Sequence, residues 1–151
     1  MKRLSIYTVL FVSLFSFSFF RDDGPAECDP KGLKDKAKAA LDPYSYDSGK
    51  ITKLKHTSKD QVKEIEIPMF VGEKYRLSFN LSALKKNIEI GIYNKDKDSK
   101  NRKLLYSNKD KFEKEFIFEV SRMRHIYIDY IIPAGTNGED IGCAVFALGY
   151  K

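Results

Sequence analysis

The sequence predicts a mainly β protein: an antiparallel β-sandwich of about eight strands, jelly-roll-like, with one N-terminal helix packed on a sheet. Three observations support this class. Short segments in which apolar and polar residues alternate recur along the chain, and loops separate them at nearly regular intervals. One segment has helical spacing, and the continuous strand–helix–strand alternation typical of parallel sheets is absent.

The strand pattern has period two throughout. Around residue 66, for example, Ile65, Ile67 and Met69 alternate with Glu66 and Pro68, and the proline indicates an edge position or a bulge. Residues 44–49, rich in Ser, Asp and Gly, are predicted to form a loop. The predicted strands are residues 51–56, 62–70, 75–81, 88–93, 103–107, 115–120, 124–132 and 142–150.

The last of these segments carries no charge in a chain that is 32% charged, which predicts a strand covered on both faces. Side chains alternate along a strand, so its small residues share one face and its bulky residues share the other. The small face is Cys143, Val145, Ala147 and Gly149, and the bulky face is Ala144, Phe146, Leu148 and Tyr150. The bulky face would fill the sandwich interior, and the small face would let another element approach closely.

A helix over about residues 30–41 is the predicted cover of the small face. Asp29 is a good N-cap and Pro30 suits the first helical position, while Asp42-Pro43 ends the helix. An apolar stripe follows at helical spacing, and half of it is alanine, so the helix can lie close to a sheet. The stripe is Leu33, Ala37, Ala40 and Leu41.

The two cysteines, Cys28 and Cys143, are predicted to form a disulfide that ties the start of this helix to the last strand. The alternative is a buried thiol at Cys143 and an idle, exposed Cys28. Together with His56 and His125 the cysteines lack the spacing of metal ligands, so neither a metal site nor a cofactor is expected.

Residues 1–26 are predicted to be a signal peptide and short linker, followed by a single domain over residues 27–151. Lys2 and Arg3 precede an apolar run over residues 4–20, which is typical of a secretory signal. An uncleaved membrane anchor is the alternative, since the run, about 17 residues long, is at the short edge of spanning length. We therefore expect a secreted or periplasmic monomer with no stable membrane span after cleavage.

No catalytic residues are predicted. Neither histidine lies in a recognised motif, and no serine has the surroundings of a nucleophile elbow. The carboxylates of Glu64 and Glu66 fall on the polar side of a strand, where solvent exposure is expected. Residues 94–98 space oxygen side chains like a calcium loop, but Ser99 and Leu105 stand where glycine and glutamate are required.

The chain is basic, with a formal net charge of +6, which is compatible with binding of a polyanion and also with an ordinary soluble surface. Tyr44 and Tyr46 are candidates for stacking on a sugar, although such residues more often cover the edge of a core. The aromatic-basic pattern of an RNA-binding module is absent, so nucleic acid is not an expected partner. The candidate polyanion patch is Lys53, Lys55, Lys59, Lys63, Arg122 and Arg124.

Three segments, residues 71–77, 88–93 and 142–151, together resemble the small secreted β-sandwich proteins of Bacteroidota that lack an assigned function. Gly72 and Tyr75 give a weaker resemblance to pre-peptidase C-terminal domains, small sandwiches in which a Gly-x-x-Tyr turn leads into a strand. The resemblance implies the fold and almost nothing about activity.

The sequence therefore favours an exported, non-enzymatic module of the cell envelope with a binding or structural role. Its expected partner is an envelope protein or a glycan of unknown identity. Glycan or polyanion binding through an exposed sheet face is one alternative, and an envelope hydrolase is the other. Fold class alone does not decide between them.

Overall fold

The computed structural model describes residues 28–151, so the predicted signal peptide lies outside the described residues. Eight strands form two four-stranded sheets, and one helix lies on the first sheet, which confirms the predicted mainly β sandwich. The elements are α1 (Pro30–Ala39), β1 (Ser45–Lys55), β2 (Gln61–Pro68), β3 (Lys74–Asn80), β4 (Glu89–Tyr93), β5 (Leu104–Ser107), β6 (Glu115–Ser121), β7 (His125–Ile132) and β8 (Asp140–Tyr150).

The strand order is that of a jelly roll. The first sheet runs β1-β8-β3-β6 and the second runs β2-β7-β4-β5, with every pairing antiparallel. Apart from β4 and β5, consecutive strands lie in different sheets, so most connections cross from one sheet to the other at the ends of the sandwich. The sheet faces are thus built by strands, and the two ends are built by loops.

Strand β8 lies between β1 and β3, and its residues 141–149 are all buried. Its bulky side chains join the sandwich core, while its small side chains pack with the helix, as predicted. Gly149 lies so close to the helix end that an added Cβ would be 3.2 Å from Leu41 Cδ1. Tyr150 differs from the prediction: it is 41% exposed because the strand ends there, at the rim of the core.

Helix α1 begins as predicted, with the Asp29 carboxylate accepting hydrogen bonds from the amides of Lys31 and Gly32. Leu33, Ala37 and Leu41 of the predicted stripe are buried against the sheet. Ala40, predicted on the same stripe, is exposed. It borders an open groove, because α1 covers β1, β8 and β3 but not β6.

Strand β1 begins earlier than predicted, so the expected loop over residues 44–49 is wrong for most of its length. Ser45 pairs with Tyr150, and the register shifts between Tyr46 and Ser48, where a bulge accommodates the polar residues. The neighbouring β8 supplies hydrogen-bond partners along this whole stretch, and that pairing outweighs the local turn preference of the sequence.

The sandwich interior contains one fully buried tyrosine. Tyr130 projects from β7 into the core, and its hydroxyl faces Thr52 without hydrogen-bond geometry. Within residues 28–151 neither hydroxyl has a hydrogen-bond partner. Burial therefore raises the pKa of Tyr130 to about 12.

This raised pKa predicts a specific loss of stability in alkali. Above about pH 10 the unfolded chain loses the Tyr130 proton while the folded protein keeps it, so the free energy of unfolding falls as the pH rises towards 12. We expect Tyr130→Phe to abolish about 3 kcal/mol of this decline, measured by urea unfolding at increasing pH. Tyr46→Phe, at a half-buried position, is the control; parallel curves for Tyr130→Phe and the parent would contradict the prediction.

The covered small face of β8 predicts that a charge there unfolds the protein. Val145→Asp puts an unpaired carboxylate between α1 and the sheet and should lower the free energy of unfolding by about 4 kcal/mol or more. Ile117→Asp is the matched control, because Ile117 is 47% exposed on the part of the outer face that α1 leaves open. Its expected cost is below about 1 kcal/mol. Equal melting temperatures for the two variants would show that the small face is open.

Candidate functional site

The predicted disulfide is present. Cys28 and Cys143 are bonded, with 5.8 Å between their Cα atoms and a sequence separation of 115. The bond joins the residue before the N-cap of α1 to the small face of β8. The alternative of an idle Cys28 is therefore wrong.

Four residues of the predicted polyanion patch lie at one edge of the sandwich. Strands β1 and β2 are edge strands of their sheets, and Lys63 Nζ reaches from β2 to the backbone oxygen of Lys53 on β1, at 3.4 Å. All four lysines are exposed. Within the described residues none of them forms an ion pair. We call this group the four-lysine edge; it comprises Lys53, Lys55, Lys59 and Lys63.

The two arginines of the predicted patch lie elsewhere. The backbone oxygen of Arg124 accepts from the amide of Met69, just beyond the end of β2. Lys63 is near the other end of β2. It lies five residues before Pro68, which pairs with His125, and five strand residues span roughly 17 Å. The structure thus divides the predicted patch into the four-lysine edge and a separate arginine pair, Arg122 and Arg124.

Both candidate stacking tyrosines carry cations over their rings. Tyr44 is 8% exposed, and its ring lies 4.4 Å from the Arg76 guanidinium carbon and 4.7 Å from Lys151 Nζ. The ring of Tyr46 lies 4.5 Å from Lys38 Nζ, on α1. These contacts occupy ring surface that a sugar would need, and Tyr44 packs in the cluster beneath α1. The tyrosines cover the edge of a core.

An arginine-centred cluster on the outer face of the second sheet was missed at the level of sequence. Arg102 binds Asp129 through two hydrogen bonds, of 2.8 and 2.9 Å, and Glu64 through one of 2.9 Å. Its guanidinium carbon is 3.6 Å from the centre of the Tyr93 ring. The 94–103 loop therefore folds back onto the sheet.

This cluster corrects the expected solvent exposure of Glu64, whose side chain is only 17% exposed. Burial raises the pKa of the Glu64 carboxyl, although the amide of Lys97 and the Arg102 charge oppose the change. The sequence feature that indicates such a cluster is Asp129, the one acidic residue in an otherwise apolar stretch over residues 126–132. Arg102 is hydrogen-bonded to both carboxylates, so the cluster anchors the 94–103 loop to the sheet.

The histidines lie apart from each other. His56 is 3% exposed, with Nδ1 at 2.9 Å from the backbone oxygen of Pro133. His125 lies on the surface, where Nδ1 is 2.7 Å from a carboxylate oxygen of Glu66. The hydrogen bonds of the described residues bring no serine to either ring.

A groove of about 310 Å³ separates α1 from β6. Asn80 is buried in its wall and donates to Glu115 Oε1 at 3.0 Å, while Ile117 supplies apolar surface. Lys36 and Ser78 complete a lining of one ammonium, one hydroxyl, one amide and one carboxylate. These groups can hydrogen-bond a small polar molecule, and neither histidine is among them.

Metal ligation finds no support in the part of the chain that the structure describes: residues 28–151 contain no group of three His, Cys, Asp or Glu side chains able to hold an ion. The calcium-like stretch uses its Asp96 carboxylate internally, on the Ser99 hydroxyl and the Asp98 amide.

Helix α1, the helix of the described residues, lacks the length and apolar character needed to cross a membrane. No protein-family model, curated protein or solved structure matches this chain.

Proposed function

We propose that this chain is an exported, non-enzymatic β-sandwich module of the cell envelope whose role is binding. The observation that carries the proposal is the Cys28–Cys143 disulfide, because protein disulfides persist in oxidising compartments and are rare in the cytosol. The apolar run over residues 4–20 behind Lys2 and Arg3 agrees with export through a signal peptide. So does the resemblance to small secreted β-sandwich proteins.

The placement of the histidines supports a binding role over hydrolysis. A general base must come within hydrogen-bond reach of a substrate proton. His56 lies beneath the loop after β7, and Gly135 is so close that an added Cβ would be 2.6 Å from the ring. His125 is accessible, but its partner Glu66 is equally exposed, so the pair lies in water rather than in an enclosed site.

Export and the disulfide can be tested together. Protein recovered from the extracytoplasmic fraction should begin near residue 27. Its intact mass should be lower than that of the reduced protein by a pair of hydrogen atoms. Reduction should lower the free energy of unfolding by up to about 4–5 kcal/mol, because the bond closes a loop of more than a hundred residues. A double variant, Cys28→Ser with Cys143→Ala, is the control and should not respond to reductant. A cytoplasmic, full-length chain with two free thiols would contradict the proposal.

A second candidate function, polyanion or acidic-glycan binding, is favoured by the four-lysine edge. Its lysines are exposed on β1, on β2 and on the connection between them, and within the described residues they form no ion pair, so they create a local positive potential. The competing role of these lysines is structural, because charged side chains on edge strands prevent pairing with the edges of other molecules.

Neutralising the four-lysine edge separates these two roles. We expect replacement of all four lysines by glutamine to weaken binding to a sulfated glycan about 10- to 100-fold, since each exposed ion pair contributes up to about 1 kcal/mol. Calorimetric titration measures the affinity, with neutral dextran as the ligand control. The matched protein control removes the same charge from the exposed lysines Lys97, Lys100, Lys103 and Lys109. Aggregation with unchanged glycan affinity would instead assign the lysines to edge protection.

A further inference from the structure

The loop between β2 and β3 exposes two adjacent apolar side chains. Phe70 is 79% exposed and Val71 is 64% exposed, which makes them the most exposed large apolar residues of the described chain. The Phe70 amide donates to the Tyr75 hydroxyl at 3.0 Å, and Gly72 takes the left-handed conformation that the turn needs, with φ of 111°. The backbone is therefore held while both side chains project into solvent.

Basic residues of the β6–β7 turn lie beside this loop. The amide of Met69 donates to the backbone oxygen of Arg124 at 2.8 Å, and Lys74 pairs with Ser121 in the ladder, so the two turns are neighbours. Met123 packs against the core, and the flanking Arg122 and Arg124 are both exposed. We call this end of the sandwich the loop tip, defined by Phe70, Val71, Lys74, Arg122 and Arg124.

The charges of the loop tip are available to a partner. Within residues 28–151 its three basic side chains form no ion pair, whereas Arg76, Lys85, Lys86 and Arg102 all do. Glu73 is the one acidic residue in the two turns. The loop tip thus combines an apolar apex with a surplus of positive charge.

We propose that the loop tip binds the surface of an anionic phospholipid bilayer. Phe70 and Val71 enter the interfacial region, and Lys74, Arg122 and Arg124 contact the lipid phosphates. This partner matches both features of the loop tip. A soluble polyanion would leave the apolar apex in water, and a second copy would bring like charges together across a symmetric interface. The proposal goes beyond the binding role above and does not use the four-lysine edge.

A single fluorophore tests insertion of the apex directly. The chain contains no tryptophan, so Phe70→Trp in the full chain gives an emission that reports the loop tip alone. With vesicles of equal parts phosphatidylcholine and phosphatidylglycerol, we expect a blue shift and quenching by brominated lipid chains. Vesicles of phosphatidylcholine alone should have little effect. Leu104→Trp, at a position 54% exposed on β5, is the control and should keep its emission in water.

The role of the charges is tested in the Phe70→Trp background. Arg122→Gln with Arg124→Gln should lower partitioning onto the anionic vesicles about 30-fold, the loss expected for two basic residues near an anionic surface. Lys55→Gln with Lys59→Gln removes the same charge from the four-lysine edge, near the β1–β2 connection at the opposite end of the sandwich, and should leave partitioning unchanged. If the paired arginine variant melts earlier than its parent, Arg124→Gln alone should still lose about fivefold.

Several outcomes would overturn the proposal. The Phe70→Trp emission could stay that of an exposed indole with anionic vesicles, or the Leu104→Trp emission could shift equally. A shift that depends on protein concentration without vesicles would assign the loop tip to contact between copies. Binding of a soluble sulfated glycan that is lost with the arginines, without any vesicle response, would assign the charges to a polyanion.

Discussion

The whole structure depends on the covering of β8 from both sides. Residues 141–149 of β8 carry no charge, so both faces of this strand must be covered; the jelly-roll core covers one face and α1 covers the other. The helix can lie so close because the residues beneath it are small. The disulfide then ties the residue before the N-cap of the helix to β8. The small residues of β8, the helix that lies on them and the disulfide thus all serve to keep the small face of β8 covered.

Because much of the sheet faces is covered in this way, the exposed side chains available for binding lie at the edges and ends of the sandwich. The outer face of the first sheet is partly roofed by α1, and the 94–103 loop is pinned to the second sheet by Arg102. Within residues 28–151, exposed lysines that form no ion pair lie at the β1–β2 edge, and the most exposed apolar side chains lie at the β2–β3 turn. Jelly-roll connections place such loops at the ends, where they can vary without disturbing the core.

Local periodicity was enough to predict most of the fold. The alternation in β2, β3 and β7 marks the residues that face the core, and Asp29-Pro30 marks the start of α1, because each depends on neighbours in sequence. Ser45–Gly49 belongs to β1 only because β8 offers it a partner. The Arg102 cluster joins residues from β2, β7 and a loop, so no short window of sequence contains it. The same holds for the loop tip, whose charges and apolar apex come from different turns.

The disulfide also changes what a protease can do to this protein. Because Cys28 and Cys143 lie at the two extremes of the described fold, the bond closes nearly all of it into a covalent ring. A single nick in any loop between them opens the ring but releases no fragment, and every strand pairing still holds the two pieces together. Two cuts are needed before a segment can leave.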